Sequence, residues 1–268
     1  MPTFSSYDGT QLTVTILGEP GEPVVVLPGG PLQPSAYLNN LGGLDAHREL
    51  VVLELPHRRV DQIVDDVDAL REHLGRDTID VIAHSAGASL ALLYAAAHPD
   101  RIGKFALITP SCRAVNIPPT PAEQLAVYEQ RADEPWYADA RAGMDAWDAG
   151  AETVEQRQLA CALVYGRWDD PARAHAAAYN VPPDAHAIYY GDGAFDVDEI
   201  RAALGKVVGD VLVLVGSADP ITPVRLGLEL AALFPHAEAV VQAGAGHYPW
   251  LDDAEWFTET LGRFLSTP

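Results

Sequence analysis

Three residue types that together carry out nucleophilic catalysis occur in this chain in the order serine, aspartate, histidine. Ser85 stands between small residues, with Ala83 two positions before it and Gly87 two positions after it. A serine on a sharp turn between a strand and a helix needs such neighbours, because the strained backbone leaves little room beside the exposed hydroxyl. The pattern therefore predicts a nucleophile elbow, in which Ala83 replaces the usual glycine.

The elbow depends on partners elsewhere, because a serine hydroxyl needs a base to accept its proton and an acid to orient that base. Asp219 follows an apolar strand predicted at 211–215. His247 follows a strand predicted at 238–242 and a glycine-rich turn. Functional groups of parallel sheets gather at the carboxyl ends of their strands. We therefore predict that His247 deprotonates Ser85 and that Asp219 orients His247.

Each of these residues also has an ordinary structural interpretation. Ser85 could cap the helix that follows it, and Asp219 could serve only the Asp-Pro turn that it begins. His84 is expected to pack under the elbow rather than act as a base, and His57 is expected to be a solvated loop histidine. Each of the three residues follows a predicted strand, with Asp219 and His247 at successive strand ends, and this arrangement favours the catalytic interpretation.

The elements that must position these residues alternate between strands and helices. Strands are predicted at 4–7, 11–17, 24–27, 50–55, 78–84, 105–109, 211–215 and 238–242. A helix is predicted at 61–74, where apolar residues recur at helical spacing, and further helices are predicted at 86–97, 223–233 and 252–265. This alternation predicts an α/β fold with a mostly parallel sheet and helices on both faces.

The pattern changes between residues 110 and 204, where no β-rich apolar run occurs. Helical stretches are predicted there near 121–133, 135–149, 153–164 and 171–179. We predict that this segment is an inserted helical cap on a core formed by residues 1–109 and 205–268.

Composition limits the classes of function that fit. The 268 residues carry a formal net charge of −21, which repels phosphate backbones and argues against nucleic-acid binding. No apolar run reaches the ~18 residues of a membrane span, and the amino terminus lacks a secretory pattern. Cys112 and Cys161 are too few for a disulfide framework or a cysteine metal cluster. We expect a cytoplasmic protein with two free thiols that binds neither nucleic acid nor membrane.

Four segments in order resemble the α/β-hydrolases, and among these the proline iminopeptidase-like branch with a helical cap. The segments are Pro28-Gly29-Gly30-Pro31, His84-Ser85-Ala86-Gly87, the turn from Gly216 to Asp219, and Gly246-His247-Tyr248-Pro249. The resemblance covers nearly the whole chain. It implies the α/β-hydrolase fold, the Ser85, Asp219 and His247 triad, and hydrolysis without a cofactor or a metal.

Two backbone N–H groups should face the negative oxygen that forms during such a reaction. One belongs to Ala86, the residue after the nucleophile, and the other to the glycine turn. Pro31 has no N–H. Gly30 is therefore the predicted second donor of the oxyanion hole, with Gly29 beside it providing backbone freedom.

The chain departs from its apparent relatives at two places. Pro28 stands where they usually have histidine, so the hydrogen bonds of that histidine are lost. Only residues 56–60 connect Leu55 to Asp61, whereas relatives carry a longer loop that forms part of the rim of the site. We expect a more open pocket on that side or a changed substrate.

The predicted function is hydrolysis of a small ester or amide through an acyl-enzyme. Proline iminopeptidase-type activity is the leading interpretation, with esterase or lactonase activity close behind. Asp148, Asp169 and Asp170 are weak candidates for holding a substrate amine. A non-hydrolytic alternative is a binding or cyclisation-promoting protein of small-molecule biosynthesis on the same scaffold. The sequence leaves the substrate and the oligomeric state open.

Overall fold

A computed structural model describes residues 1–150, 153–178 and 181–266. The strands of these residues are β1 (Thr3–Ser5), β2 (Gln11–Leu17), β3 (Pro23–Leu27), β4 (Glu49–Leu53), β5 (Ile79–His84), β6 (Ile102–Ile108), β7 (Asp210–Gly216) and β8 (Ala237–Gln242). They form one eight-stranded sheet in the order β1-β2-β4-β3-β5-β6-β7-β8. β1 and β2 pair antiparallel, as do β2 and β4, and all the other pairs are parallel.

The helices are α1 (Val64–His73), α2 (Gly87–Ala97), α3 (Pro121–Glu129), α4 (Tyr137–Asp148), α5 (Val154–Ala160), α6 (Asp170–Ala177), α7 (Ala185–Tyr189), α8 (Val197–Leu204), α9 (Val224–Ala231), α10 (Pro249–Asp252) and α11 (Ala254–Ser266). The mostly parallel sheet with its helices confirms the predicted fold class. Each predicted strand overlaps an observed strand. Alternating apolar residues and short apolar runs, from which the strands were predicted, are typical of strands.

The sheet is covered on both faces, because successive side chains of a strand point in opposite directions. In β5, Val81 and Ala83 belong to the hydrophobic cluster that contains Leu90 of α2. Ile82, between them in sequence, belongs to the cluster that contains Phe257 of α11. The apolar run of β5 is therefore buried on both sides, as expected for a central parallel strand.

Several predicted helix boundaries shift in the structure. The helix predicted at 61–74 begins as a 3₁₀ turn, Val60–Ile63, and continues as α1. The helix predicted at 171–179 corresponds to α6, and its last predicted residue, Tyr179, lies outside the described residues. α7 and α8 lie outside the helices that were predicted from the sequence.

The helices of the segment predicted as a cap belong to different hydrophobic clusters. α3, α4 and the 3₁₀ turn after α5 share a small hydrophobic cluster that includes Tyr128, Ala140 and Leu163. Ile200 and Leu204 of α8 are instead buried in the main cluster together with α2. α8 therefore packs with the core helices, although it lies within 110–204. Ala185 and Tyr189 of α7 belong to the same main cluster, and the division into core and cap remains a prediction.

Two further sequence expectations concern thiols and membranes. Cys112 and Cys161 are both unpaired, as expected. Burial raises the pKa of the Cys112 thiol to about 12, which leaves it protonated and unreactive near neutral pH. Within the described ranges, no helix has both the length and the apolar character needed to cross a membrane.

Candidate active site

Ser85 lies on the turn between β5 and α2 with a backbone φ of +51°. That left-handed conformation is uncommon for a residue other than glycine and is typical of strained functional turns. The turn is crowded, because a Cβ added at Gly87 would lie 2.3 Å from the carbonyl oxygen of Leu27. Only a glycine fits there without movement. The local geometry thus agrees with the predicted elbow.

Ser85, His247 and Asp219 form one hydrogen-bonded chain in the structure. The Nε2 atom of His247 lies 2.8 Å from Oγ of Ser85, and its Nδ1 atom lies 2.8 Å from Oδ2 of Asp219. Asp219 is fully buried and His247 is 3% exposed, whereas Ser85 is half-buried. The second carboxylate oxygen of Asp219 accepts the backbone N–H of Ile221 at 2.8 Å. In the neutral imidazole, Nδ1–H can therefore donate to Asp219 while Nε2 accepts from Ser85.

The main chain of His247 is held from three sides. Its N–H donates to the carbonyl oxygen of Val164 at 2.8 Å. Its carbonyl oxygen accepts hydrogen bonds from Nε2 of His84 at 2.9 Å and from Oγ1 of Thr109 at 3.0 Å. The imidazole is therefore anchored both through its ring and through its backbone.

His84 lies beneath the elbow and is 2% exposed. Burial lowers its pKa well below the ordinary value of 6.5, and a charged His247 would lower it further. His84 is therefore neutral near pH 7, with Nε2–H donating to the carbonyl of His247. Its Nδ1 atom accepts from the hydroxyl of Tyr37 at 2.8 Å.

The glycine turn after β3 approaches the elbow closely. A Cβ added at Gly29 would lie 2.8 Å from the Cβ of Ser85. The N–H of Gly29 donates to the hydroxyl of Tyr37 at 2.6 Å, so it is directed away from an oxyanion hole. Gly30 has a φ of +115°, which favours glycine. Gly30 remains the candidate donor of this turn, together with Ala86 at the start of α2.

A family model described as alpha/beta hydrolase fold matches residues 23–254 of the chain. The chain belongs to the α/β-hydrolase family. That match spans β3 to the start of α11 and includes the elbow, Asp219 and His247.

Curated relatives of this α/β-hydrolase include a 2-hydroxy-6-oxo-6-phenylhexa-2,4-dienoate hydrolase of Comamonas testosteroni, 25% identical over 91% of this chain and 88% of the relative. A pimeloyl-[acyl-carrier protein] methyl ester esterase of Xanthomonas oryzae is 33% identical over 32% of this chain and 34% of its own length. The fold is similar to that of an esterase from Exiguobacterium antarcticum, with a TM-score of 0.71 and 17% identity over 99% of both chains. The iminopeptidase branch stays a prediction.

Arg131 of this α/β-hydrolase is a buried cation beside the candidate site that was not predicted from the sequence. It is 7% exposed and follows α3. Its guanidinium donates to the carbonyl oxygens of Leu163 at 2.8 Å and Ala218 at 3.1 Å, and also to that of Tyr165. Burial lowers the pKa of Arg131, and the charge of Asp219 opposes this effect. No local pattern marks Arg131, because all three acceptors are distant in sequence.

The short connection at 56–60 of this α/β-hydrolase contacts the segment between β6 and β7 through two side chains. Nη1 of Arg59 donates to the carbonyl oxygen of Asp192 at 2.9 Å. Nε2 of His57 lies 3.5 Å from a carboxylate oxygen of Asp184. These contacts link the connection to the segment between β6 and β7, and the more open pocket stays a prediction. A changed substrate stays a prediction.

Two of the three carboxylates suggested for holding a substrate amine have other partners. Asp169 caps α6 by accepting the N–H of Ala172 at 3.1 Å. Asp170 has a 97% exposed side chain and pairs with Arg173. Asp148 lines a cavity beside α3 and α4. These arrangements leave Asp169 and Asp170 poorly suited to bind a substrate at Ser85.

That cavity, of about 430 Å³, lies between α3, α4 and the loop after Asp219. Three large apolar side chains on its wall are exposed by about two-fifths, namely Leu125, Trp147 and Ile221. Val164, whose carbonyl accepts from His247, is also on the wall. The cavity therefore adjoins the loop that follows Asp219 and the backbone partner of His247, whereas Ser85 is not on its wall. In the described part of the chain, no group of three or more His, Cys, Asp or Glu side chains is arranged to hold a metal ion.

Proposed function

We propose that this α/β-hydrolase is a serine hydrolase that cleaves small esters through an acyl-enzyme. The observation that carries the proposal is the pair of 2.8 Å contacts that join Ser85, His247 and Asp219. The left-handed backbone of Ser85 adds support, since it is the conformation of a nucleophile on a strained turn.

In the proposed reaction, Nε2 of His247 accepts the proton of Ser85 as Oγ attacks the ester carbonyl carbon. The N–H groups of Gly30 and Ala86 stabilise the negative oxygen of the tetrahedral intermediate. His247 then gives the proton to the departing alkoxide, and the acyl group remains on Ser85. His247 then accepts a proton from water as the water oxygen attacks the acyl carbon, and it returns that proton to Oγ of Ser85 as the acyl–oxygen bond breaks and the carboxylic acid leaves. Asp219 stabilises the charged imidazole in both steps.

The charges around the site favour a neutral ester over a peptide with a free amino terminus. An aminopeptidase needs a carboxylate to pair with the substrate ammonium. Asp219 is already bonded to His247, and Asp148, the carboxylate on the wall of the cavity beside α3 and α4, shares that wall with the cation Arg141. Proline iminopeptidase activity is therefore the less favoured interpretation.

We further assign the apolar part of the substrate to the cavity beside α3 and α4. Its size lies within the range of small-molecule sites, about 300–1,000 Å³. Exposed side chains such as Trp147 and Ile221 would be covered by an apolar acyl or aryl group. The names of two relatives, a methyl ester esterase and a hydrolase of a phenyl-substituted dienoate, agree with an ester or other carbonyl substrate.

Ester hydrolysis and active-site labelling together test the proposal. Wild type should hydrolyse p-nitrophenyl esters and react covalently with a fluorophosphonate probe at Ser85. Ser85→Ala should lose both while keeping its fold, and Ser5→Ala, a serine of the edge strand β1, should keep both. Turnover by Ser85→Ala at the wild-type rate would contradict the mechanism.

A substrate panel separates the proposed esterase from the other activities. Proline p-nitroanilide tests the iminopeptidase, an N-acyl homoserine lactone tests the lactonase, and 2-hydroxy-6-oxo-6-phenylhexa-2,4-dienoate tests carbon–carbon hydrolysis. Higher kcat/KM on any of these than on every ester would overturn the ester assignment. A folded wild type that resists the fluorophosphonate but binds a small ligand would instead support the non-hydrolytic alternative.

A further inference from the structure

We infer that Tyr37 is a positioning residue that aligns the oxyanion turn with His247 through His84. The inference rests on the proposed serine hydrolase function. Tyr37 follows the glycine turn and is 5% exposed, and its hydroxyl joins two parts of the site that are far apart in sequence.

The direction of each hydrogen bond follows from the groups involved. The N–H of Gly29 donates to the Tyr37 oxygen at 2.6 Å. The single proton of that hydroxyl then points to Nδ1 of His84 at 2.8 Å, because neutral His84 carries its proton on Nε2. Nε2–H of His84 donates to the carbonyl of His247 at 2.9 Å. One continuous chain thus links the backbone of Gly29 to the backbone of His247.

Tyr37 is also fixed at its main chain. Its carbonyl oxygen accepts Nε2–H of His175, from α6, at 2.9 Å. Nδ1 of His175 in turn accepts the hydroxyl of Tyr165 at 2.7 Å. Burial lowers the pKa of His175, which keeps this ring neutral. The phenol of Tyr37 therefore has little freedom to move away from Gly29.

The turn needs such support because its own conformation is unusual. Gly30 has a φ of +115° and Leu32, two residues later, has a φ of +56°. Non-glycine residues avoid that region, so the surrounding contacts must hold the turn in place. Pro28 at its start has neither an N–H nor a polar side chain. The hydroxyl of Tyr37 supplies the hydrogen bond that holds the next residue, Gly29.

Loss of the hydroxyl would leave the buried N–H of Gly29 and Nδ1 of His84 without this partner. The turn would relax, and Gly30, the proposed oxyanion donor, would shift with it. Oxyanion stabilisation acts in the transition state, so the loss should lower kcat and leave KM nearly unchanged. Removing an oxyanion donor outright costs about 10²–10³ in kcat, and a displaced donor should cost about 10–100-fold.

The test compares Tyr37→Phe with Tyr94→Phe. Tyr94, on α2, is also a buried tyrosine with a hydrogen-bonded hydroxyl, which donates to Asp68 at 3.1 Å, and it is remote from Ser85. Both variants lose one phenolic oxygen, and both should lower Tm. Tyr37→Phe should lower kcat for p-nitrophenyl acetate about 10–100-fold with KM within about two-fold, whereas Tyr94→Phe should keep the wild-type kcat.

Binding of an alkyl boronic acid supplies a second readout, because its tetrahedral adduct with serine presents a negative oxygen to the oxyanion hole. Its affinity should fall in Tyr37→Phe by about the same factor as kcat. A kcat for Tyr37→Phe equal to that of Tyr94→Phe would overturn the inference. An inactive, unlabelled wild type would instead overturn the proposed function.

Should Tyr37→Phe fail to fold, His84→Asn tests the same chain of hydrogen bonds at His84, the residue between Tyr37 and His247. The shorter side chain cannot join Tyr37 to His247. A folded His84→Asn variant with the kcat loss and unchanged KM would support the inference, and one with wild-type kcat would overturn it.

Discussion

The guanidinium of Arg131 donates to the carbonyl oxygen of Ala218 at 3.1 Å, one residue before Asp219. The same group binds carbonyls on both sides of Val164, the residue that accepts the N–H of His247. Arg131 thus ties the acid loop to the segment that holds the histidine. Charged hydrogen bonds to buried carbonyls contribute about 1.5–3 kcal/mol each.

Arg131→Met is expected to lower the free energy of unfolding by about 3 kcal/mol and kcat by about 10-fold. The reason is that three buried carbonyls lose their donor and the loop that carries Asp219 loosens. Urea unfolding and p-nitrophenyl acetate turnover measure the two effects. Arg173→Met, which removes an exposed arginine paired with Asp170, is the control and should change stability by less than about 0.5 kcal/mol. Equal stabilities for the two variants would contradict this role of Arg131.

Trp147→Ala tests whether the cavity beside α3 and α4 binds the apolar part of the ester. With its side chain removed, kcat/KM for p-nitrophenyl hexanoate should fall about 10-fold, while the value for the acetate should change little. Leu228→Ala is the matched control, since Leu228 is a half-exposed apolar residue on α9. An unchanged ratio of hexanoate to acetate activity would place the acyl chain elsewhere.

Gly29→Ala tests how closely the oxyanion turn approaches the nucleophile. The added Cβ would lie 2.8 Å from both the carbonyl oxygen of His84 and the Cβ of Ser85, so the elbow or the turn must shift. We expect kcat to fall by more than about 100-fold. At Gly205 an added Cβ would meet nothing nearer than 3.6 Å, and Gly205→Ala should keep full activity. Full activity in Gly29→Ala would show that the turn tolerates displacement.

Asp68 provides a stability prediction that depends on pH. It accepts hydrogen bonds from Arg71, Tyr7 and Tyr94, and those from Arg71 contribute most to lowering its pKa from 3.8 to about 2. Because the folded-state pKa is lowered, this stabilisation is complete above the unfolded pKa of 3.8 and disappears as the pH falls towards 2.

Asp68→Asn should therefore lower the free energy of unfolding by about 3 kcal/mol at neutral pH, because it breaks a largely buried ion pair. The difference from wild type should shrink between about pH 4 and pH 2. Urea unfolding at several pH values measures this difference in the free energy of unfolding. The control Asp170→Asn changes a fully exposed carboxylate and should lower stability by less than about 0.5 kcal/mol at every pH. A pH-independent loss in Asp68→Asn would exclude the ionised carboxylate as its cause.

Features that depend on contiguous residues could be predicted from the sequence. The apolar run of β5, the serine after it and the small residue Gly87 together predict the elbow, because burial and backbone strain act over a few neighbouring positions. The strand alternation likewise predicts the sheet. Short helices such as α7, with five residues, have too few turns for a periodic signal.

The sequence by itself determined the α/β fold, the order of Ser85, Asp219 and His247, and the glycine turn that precedes them. The tertiary structure alone decided that Tyr37 reaches His84, 47 residues away, and that Arg131 reaches Ala218, 87 residues away. It also decided that Arg59, in the short connection after β4, reaches Asp192, 133 residues away. Hydrogen bonds are short and directional, so their partners depend on how distant segments pack, which no local pattern of residues records.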